Sequence, residues 1–264
     1  AFDSGTGRAI YDVCASPDGT LVVAGGTEGR IFAWDARSRE LLWTFRCPST
    51  GDVTGVAVAV NGRVFAVQGQ IGIALWCDPP IGESSVLIER PGPSERAMAS
   101  PNWITPSPDG ELMAIDTREG SVLLYGADGS RLAEVEVGGA GLGIWWTDFH
   151  PDGRYLAAAS NGLVKIWDLE DVLSGVGPLP PVRTMPGDRF DISPEGDRLL
   201  VRSSGSARVV RWEDGTDVQQ VILADTDVGA PVLPAEFSND GRWLLARTFA
   251  GIRRWPADPG RALD

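Results

Sequence analysis

The sequence predicts an all-β fold: a β-propeller of six four-stranded blades. Three observations carry this expectation. A turn tetrad recurs six times, as Ser16-Pro17-Asp18-Gly19, Ala59-Val60-Asn61-Gly62, Ser107-Pro108-Asp109-Gly110, His150-Pro151-Asp152-Gly153, Ser193-Pro194-Glu195-Gly196 and Ser238-Asn239-Asp240-Gly241. From Gly to Gly the steps are 43, 48, 43, 43 and 45 residues, the length of one blade. An aromatic follows each turn Gly by 14 to 16 residues: Trp34, Trp76, Tyr125, Trp167, Trp212 and Trp255.

Within each unit the elements follow in a fixed order. Asp-Gly after Pro makes a tight turn, in which Gly supplies a positive φ. The apolar run after it, such as Leu21-Val22-Val23-Ala24 or Leu199-Leu200-Val201, reads as a short strand buried on both faces. A second Gly turn follows (Gly29, Gly72, Gly120, Gly162, Gly205, Gly251), and then the strand that closes on the aromatic. A more polar fourth strand lies outside, as in Leu41-Leu42-Trp43-Thr44-Phe45 or Leu132 to Val137. One such sheet cannot bury two apolar faces alone, so blades must stack in a ring.

The ends bear on closure. Phe2 precedes Gly19 by 17 residues, as Phe45 precedes Gly62, and Asp264 aligns with Trp43. Residues 1–3 are therefore expected to complete the last blade beside residues 260–264, with one outer strand shared between the termini. Residues 1–264 read as a single propeller domain, and the missing initiator Met suggests a segment of a longer multidomain protein.

The tetrads together with Trp34-Asp35 and Trp167-Asp168 resemble the WD-repeat propellers, over essentially the whole chain. The chain departs from that family in three ways. Its Gly-His dipeptide is absent, since His150 is the single histidine, so the family's Asp-His-Ser/Thr-Trp network cannot form. Asp follows the aromatic in two of six repeats, and six repeats is one fewer than the family's usual seven. The resemblance implies a non-catalytic interaction or sensing module with a protein or peptide partner, or another domain of the same protein such as a kinase, NTPase or protease. It implies no cofactor.

Composition narrows the function further. The net charge of −13 argues against a nucleic-acid footprint, which needs a basic face. No apolar run approaches the ~20 residues of a membrane helix, and no signal peptide opens the chain, so a cytoplasmic location without membrane contact is expected. Lys165 is the only lysine among 23 basic residues, a bias that suggests GC-rich coding and a bacterial source. Cys14, Cys47 and Cys77 are too widely spaced for a zinc pair and read as small buried hydrophobes. The sequence contains no HExxH, Walker loop or GxSxG. His150 stands where other repeats have Ser and reads as a turn cap.

Two sets of positions repeat at matching levels of the blades. Eight and seven residues before the turn Gly, where the innermost strand starts, lie Tyr11, Trp103, Trp145, Asp188, Trp146 and Arg189. Tyr11, Trp103, Trp145, Trp146 and Arg189 form the candidate partner-binding surface at the top face, because interface anchors are rich in these residue types. Trp145 and Trp146 are adjacent on an extended segment, so one should pack inwards and the other face the mouth. Five residues before the Gly lie Asp148, Asp191 and Glu236. They read as an acidic channel wall, and alternatively as the hard-cation site of a metal-dependent hydrolase like the six-bladed lactonases. Two Pro-rich insertions, Asp78 to Pro101 and Leu169 to Pro181, read as loops.

Overall fold

The structure, a computed structural model, describes residues 9–47, 51–59, 61–68, 73–77, 86–88, 104–117, 120–126, 128–139, 143–175, 179–203, 206–222, 235–248 and 251–258. It is an all-β propeller. Blade 1 comprises β1 (Ile10–Ala15), β2 (Leu21–Gly26), β3 (Arg30–Asp35) and β4 (Leu41–Arg46). Blade 2 comprises β5 (Gly55–Val58), β6 (Val64–Gln68), β7 (Ile73–Cys77) and β8 (Val86–Ile88). Blade 3 holds β9 (Ile104–Pro106), β10 (Leu112–Asp116), β11 (Ser121–Gly126) and β12 (Arg131–Glu136). Blade 4 holds β13 (Trp146–Phe149), β14 (Tyr155–Ser160), β15 (Leu163–Asp168), the short helix α1 (Leu169–Leu173) and β16 (Arg183–Pro186). Blade 5 holds β17 (Arg189–Ile192), β18 (Arg198–Ser203), β19 (Ser206–Arg211) and β20 (Asp217–Ile222). The last sheet consists of β21 (Ala235–Phe237), β22 (Trp243–Thr248) and β23 (Gly251–Pro256). Every sheet is an antiparallel meander with its strands in chain order.

Two expectations need correction, and a third falls on residues outside those described. Among the described residues there are five four-stranded blades rather than six, because the sixth sheet has three strands. The strand expected to complete it, from residues 1–3 and 260–264, lies outside the described residues, so ring closure by a shared strand is not shown. The insertions are not loops throughout. Val86–Ile88 pairs with β7 as the fourth strand of blade 2, and Leu169–Leu173 is helical. The prolines lie outside both elements, and Asp168 starts the helix by accepting the Glu170 N–H at 3.0 Å.

The tetrads behave as their chemistry requires. All six turn glycines have positive φ, between 64° and 83°. Ser16 Oγ accepts the Leu21 N–H at 2.8 Å and donates to Asp18 at 2.5 Å. Ser107 repeats both bonds, and Ser238 does so with Asp240 and the Trp243 N–H. With the turn fixed, the register of the first two strands is fixed, so the residue seven before the Gly faces the residue six after it. Asp12 faces Gly25, Trp146 faces Ala159 and Arg189 faces Arg202.

The core consists of apolar layers between successive blades. Leu156 and Ala158 face blade 3, while their neighbours Ala157 and Ala159 face blade 5. Val23, Ile31 and Ala33 meet Val56, Val64 and Ala66 between blades 1 and 2. Phe65 and Val67 meet Met113, Ile115 and Tyr125 between blades 2 and 3. Leu200 and Val209 meet Phe237, Leu244 and Ala246 between blade 5 and the last sheet. The first strands, β1, β5, β9, β13, β17 and β21, lie side by side in sequence and form the inner edge. Among the described residues no helix is long and apolar enough to cross a membrane.

Trp167 sits in the layer between blades 3 and 4 with Val122, Leu124 and Phe149, and only 1% of its surface is exposed. Its indole N–H is buried without a hydrogen-bond partner, so packing alone holds the ring. Trp167→Ala should cost about 3–5 kcal/mol in chemical denaturation, as for other buried aromatics. A loss below about 1 kcal/mol would contradict this packing.

Candidate functional site at the mouth of the inner strands

The inner strands start at one end of the molecule, here termed the mouth, and end in the tetrads at the other. At the mouth, the Trp145 N–H donates to the Ala159 carbonyl at 2.9 Å, which fixes the backbone. Ile144 beneath it is buried, and the Trp145 indole is 63% exposed. Trp146 points the opposite way and packs on the layer between blades 4 and 5. The Arg189 guanidinium lies 5.6 Å from the centroid of the Trp146 ring, a cation–π arrangement joining the two blades.

Arg202 enters the same cluster from β18, facing Arg189 across the strand pair. Burial first, and then the charge of Arg189, lowers the pKa of Arg202, while Asp188 opposes both. The Asp188 N–H donates to the Arg202 carbonyl at 2.7 Å, and the Gly187 N–H to Gly162 at 2.8 Å, so this rim is anchored through its backbone. Composition does not single out Arg202, but the turn register does, because a residue six after a turn Gly faces the one seven before it.

The remaining candidates separate. Tyr11 is 53% exposed on blade 1, where the charge of Asp52, and then a hydrogen bond to it, raises the phenol pKa. It belongs to blade 1, whereas Trp145, Trp146 and Arg189 belong to blades 4 and 5. Trp103 lies outside the described residues.

Asp148, Asp191 and Glu236 lie on the inner strands β13, β17 and β21. Burial, followed by the charge of Asp191, pushes the Asp148 carboxyl up to about 7. Asp191 is raised to about 6 by burial, with Glu236 adding to the shift. Both aspartates are bonded to backbone: Asp148 accepts the Phe149 N–H at 2.9 Å, and Asp191 accepts the Phe237 N–H of the next blade at 2.5 Å. Asp191 and Glu236 also line a cavity of about 460 Å³ with Phe237, Ser238, Asn239 and Leu245. Among the described residues, no group of three His, Cys, Asp or Glu side chains is arranged to hold a metal ion. The hydrolase reading of these three acids therefore finds no support. Asp191 instead ties one inner strand to the next, as Asp12 does by accepting the Val56 N–H at 2.8 Å.

His150 does more than cap its turn. Nδ1 lies 2.7 Å from the Asp152 carboxylate, keeping the contact that Ser makes elsewhere. Nε2 reaches into blade 5 and donates to the Gly196 carbonyl at 2.8 Å, while the ring packs against Trp212 at a 35° tilt, with centroids 4.3 Å apart. The reading as a simple cap missed this because an imidazole is longer than a hydroxyl. Asn61 and Arg198 make similar links, to the carbonyls of Asp109 and Gly241 in the following blades.

Residues 3–137 match the family described as PQQ_2, outer membrane protein assembly factor BamB, and residues 137–168 match the WD domain, G-beta repeat. Telomerase protein component 1 of Rattus norvegicus is 24% identical over 255 residues, covering 90% of this chain and 9% of that protein. Telomerase Cajal body protein 1 of Bos taurus is 30% identical over 230 residues, 79% of this chain and 41% of the relative. Pre-mRNA-processing factor 17 of Homo sapiens is 26% identical over 184 residues, 63% of this chain and 31% of the relative. The chain thus spans less than half the length of each of these relatives.

The raised carboxyls give a pH prediction. A carboxyl whose pKa rises on folding stabilises the fold while protonated; that contribution is complete below the ordinary value of 3.8 and is lost as pH rises through about 7 for Asp148. The tetrad acids act in a different window. Hydrogen bonds from Ser16 and Ser238 hold Asp18 and Asp240 low, so their contribution is present above 3.8 and lost as pH falls below it. Between about pH 5 and pH 8, stability measured by denaturant titration should therefore fall in the wild type and fall less in Asp148→Asn. Equal slopes would show that Asp148 titrates as an ordinary solvated acid.

Proposed function

Because the chain belongs to the WD-repeat and PQQ_2 β-propellers, we propose that it is a non-catalytic interaction module that docks a protein or peptide partner at the mouth of its inner strands. The observation that carries this reading is the exposed Trp145, which adjoins in the chain the Trp146 that pairs with Arg189. An indole exposed over most of its surface has an energetic reason to be covered, and Trp and Arg dominate the binding energy of protein interfaces. Tyr11 extends the candidate surface on blade 1, and Trp103 completes the proposed set. Relatives bearing this propeller within much longer chains support a role as one part of a larger protein. The arginine bias supports a bacterial source, although the relatives named above are eukaryotic, and we infer a sensing or scaffolding task in the cytoplasm. Some of those relatives carry telomerase or pre-mRNA in their names, but the net charge of −13 favours a protein partner here.

The test is comparative affinity capture from the source cells with wild type and Trp145→Ala. Proteins retained by the wild type should be lost or depleted with the variant, corresponding to a weakening of about 2 kcal/mol or more. Thermal unfolding should barely change, because the side chain is mostly in water. Identical capture by both proteins would remove Trp145 from the interface.

A further inference from the structure

Both ring nitrogens of His150 face oxygen acceptors, and from this geometry we propose that the side chain is a proton-operated latch between blades 4 and 5, closed by the imidazolium and half released by the neutral ring. Nδ1 lies 2.7 Å from Oδ1 of Asp152, and Nε2 lies 2.8 Å from the Gly196 carbonyl oxygen in the next tetrad. A carboxylate and a carbonyl only accept, so the two contacts together need a proton on each nitrogen. The neutral ring carries one. With that proton on Nε2 the bridge to Gly196 survives, but the Nδ1 lone pair then points at a carboxylate oxygen. The Asp152 N–H, 3.3 Å from Nδ1, is the donor at hand, and the carboxylate has to turn away. In blades 1 and 3 and in the last sheet, the Asp of the tetrad is bonded by the hydroxyl of Ser16, Ser107 or Ser238, which stays uncharged. Blade 4 places in that position the side chain whose charge ordinarily changes between about pH 5 and pH 8.

The surroundings set burial against charge. Burial of the ring penalises a cation, whereas the adjoining Asp152 carboxylate and the Trp212 indole, with its centroid 4.3 Å from that of the ring, favour one. Tyr155 meets the ring edge-on at 5.9 Å. The other charged groups nearby are engaged elsewhere. Arg154 pairs with Asp168 at 2.8 Å, and Asp148 accepts the Phe149 N–H. In the blade 5 tetrad, Asp197 accepts from Ser193 and Arg198, and Glu195 lies 3.6 Å from Arg198. Arg211 and Glu213, which flank Trp212, are exposed. Among the described residues, Asp152 is therefore the carboxylate that answers to the charge of the ring.

Because His150 is the single histidine, nitrogen-15 NMR of the whole chain reads its ring alone. Across about pH 5 to pH 8 the spectrum should pass from two protonated ring nitrogens to one, with Nε2 keeping its proton. The amides of Asp152 and Arg154, which donate to Nδ1 and to the Asp152 carboxylate, should shift over the same interval. Asp152→Asn should hold the second ring proton about 10-fold less tightly, as loss of a charge-assisted hydrogen bond requires. His150→Ser, which restores the tetrad residue of other blades, should leave the Asp152 and Arg154 amides unchanged across the interval. The wild-type titration decides the matter even where a variant fails to fold. A ring that keeps one charge state throughout, a neutral ring protonated on Nδ1, or amides that stay still while the ring titrates would overturn the latch. So would an Asp152→Asn ring that titrates together with the wild type.

Discussion

A sheet of four short strands with apolar residues on both faces cannot exist alone in water. Each blade of this protein is in that position. Leu156 and Ala158 need blade 3, whereas Ala157 and Ala159 need blade 5. The repeat length, the order of the strands and the inner edge all follow from satisfying that need blade by blade. Stability is consequently carried by layers between neighbours, as in other repeat architectures, with little direct contact between distant blades.

Polar links reinforce the layers unevenly. At the tetrad end, Asn61, His150 and Arg198 each reach a carbonyl of the following blade. Along the inner edge, Asp12 and Asp191 accept N–H groups from the next strand. At the mouth of blades 4 and 5, the side chains are instead indoles and guanidiniums, with Arg189 lying over the Trp146 ring. This division explains how one repeated unit can be structural at one end and variable at the other.

Much of this architecture was legible in the sequence. The glycines at constant spacing gave away the turns, and the alternating apolar runs gave the strands. The opposite orientations of Trp145 and Trp146 followed from strand geometry. Other features were hidden for identifiable reasons. Val86–Ile88 is an apolar triplet surrounded by prolines, and three residues are too few for a period to emerge. The five-residue α1 owes its start to the Asp168 cap rather than to any helical pattern. The bridge from His150 to blade 5 depends on how two blades sit together, which spacing within one repeat cannot express. Arg202 was readable through the constant turn register, but as a strand residue it carried no composition signal of its own. The strand expected from the termini to complete the last blade falls on residues outside those described.

The buried indole of Trp167 illustrates how shape and polarity come apart. In the resembled family that ring belongs to a hydrogen-bonded network, whereas here its N–H is enclosed among Val122, Leu124 and Phe149 with no acceptor. An unpaired N–H in such surroundings carries a desolvation penalty of roughly 1–3 kcal/mol. The surrounding dispersion contacts must outweigh it for the ring to stay where it is. The site is therefore a reserve of stability: a single well-placed hydroxyl on a neighbouring strand would recover that penalty without moving the backbone.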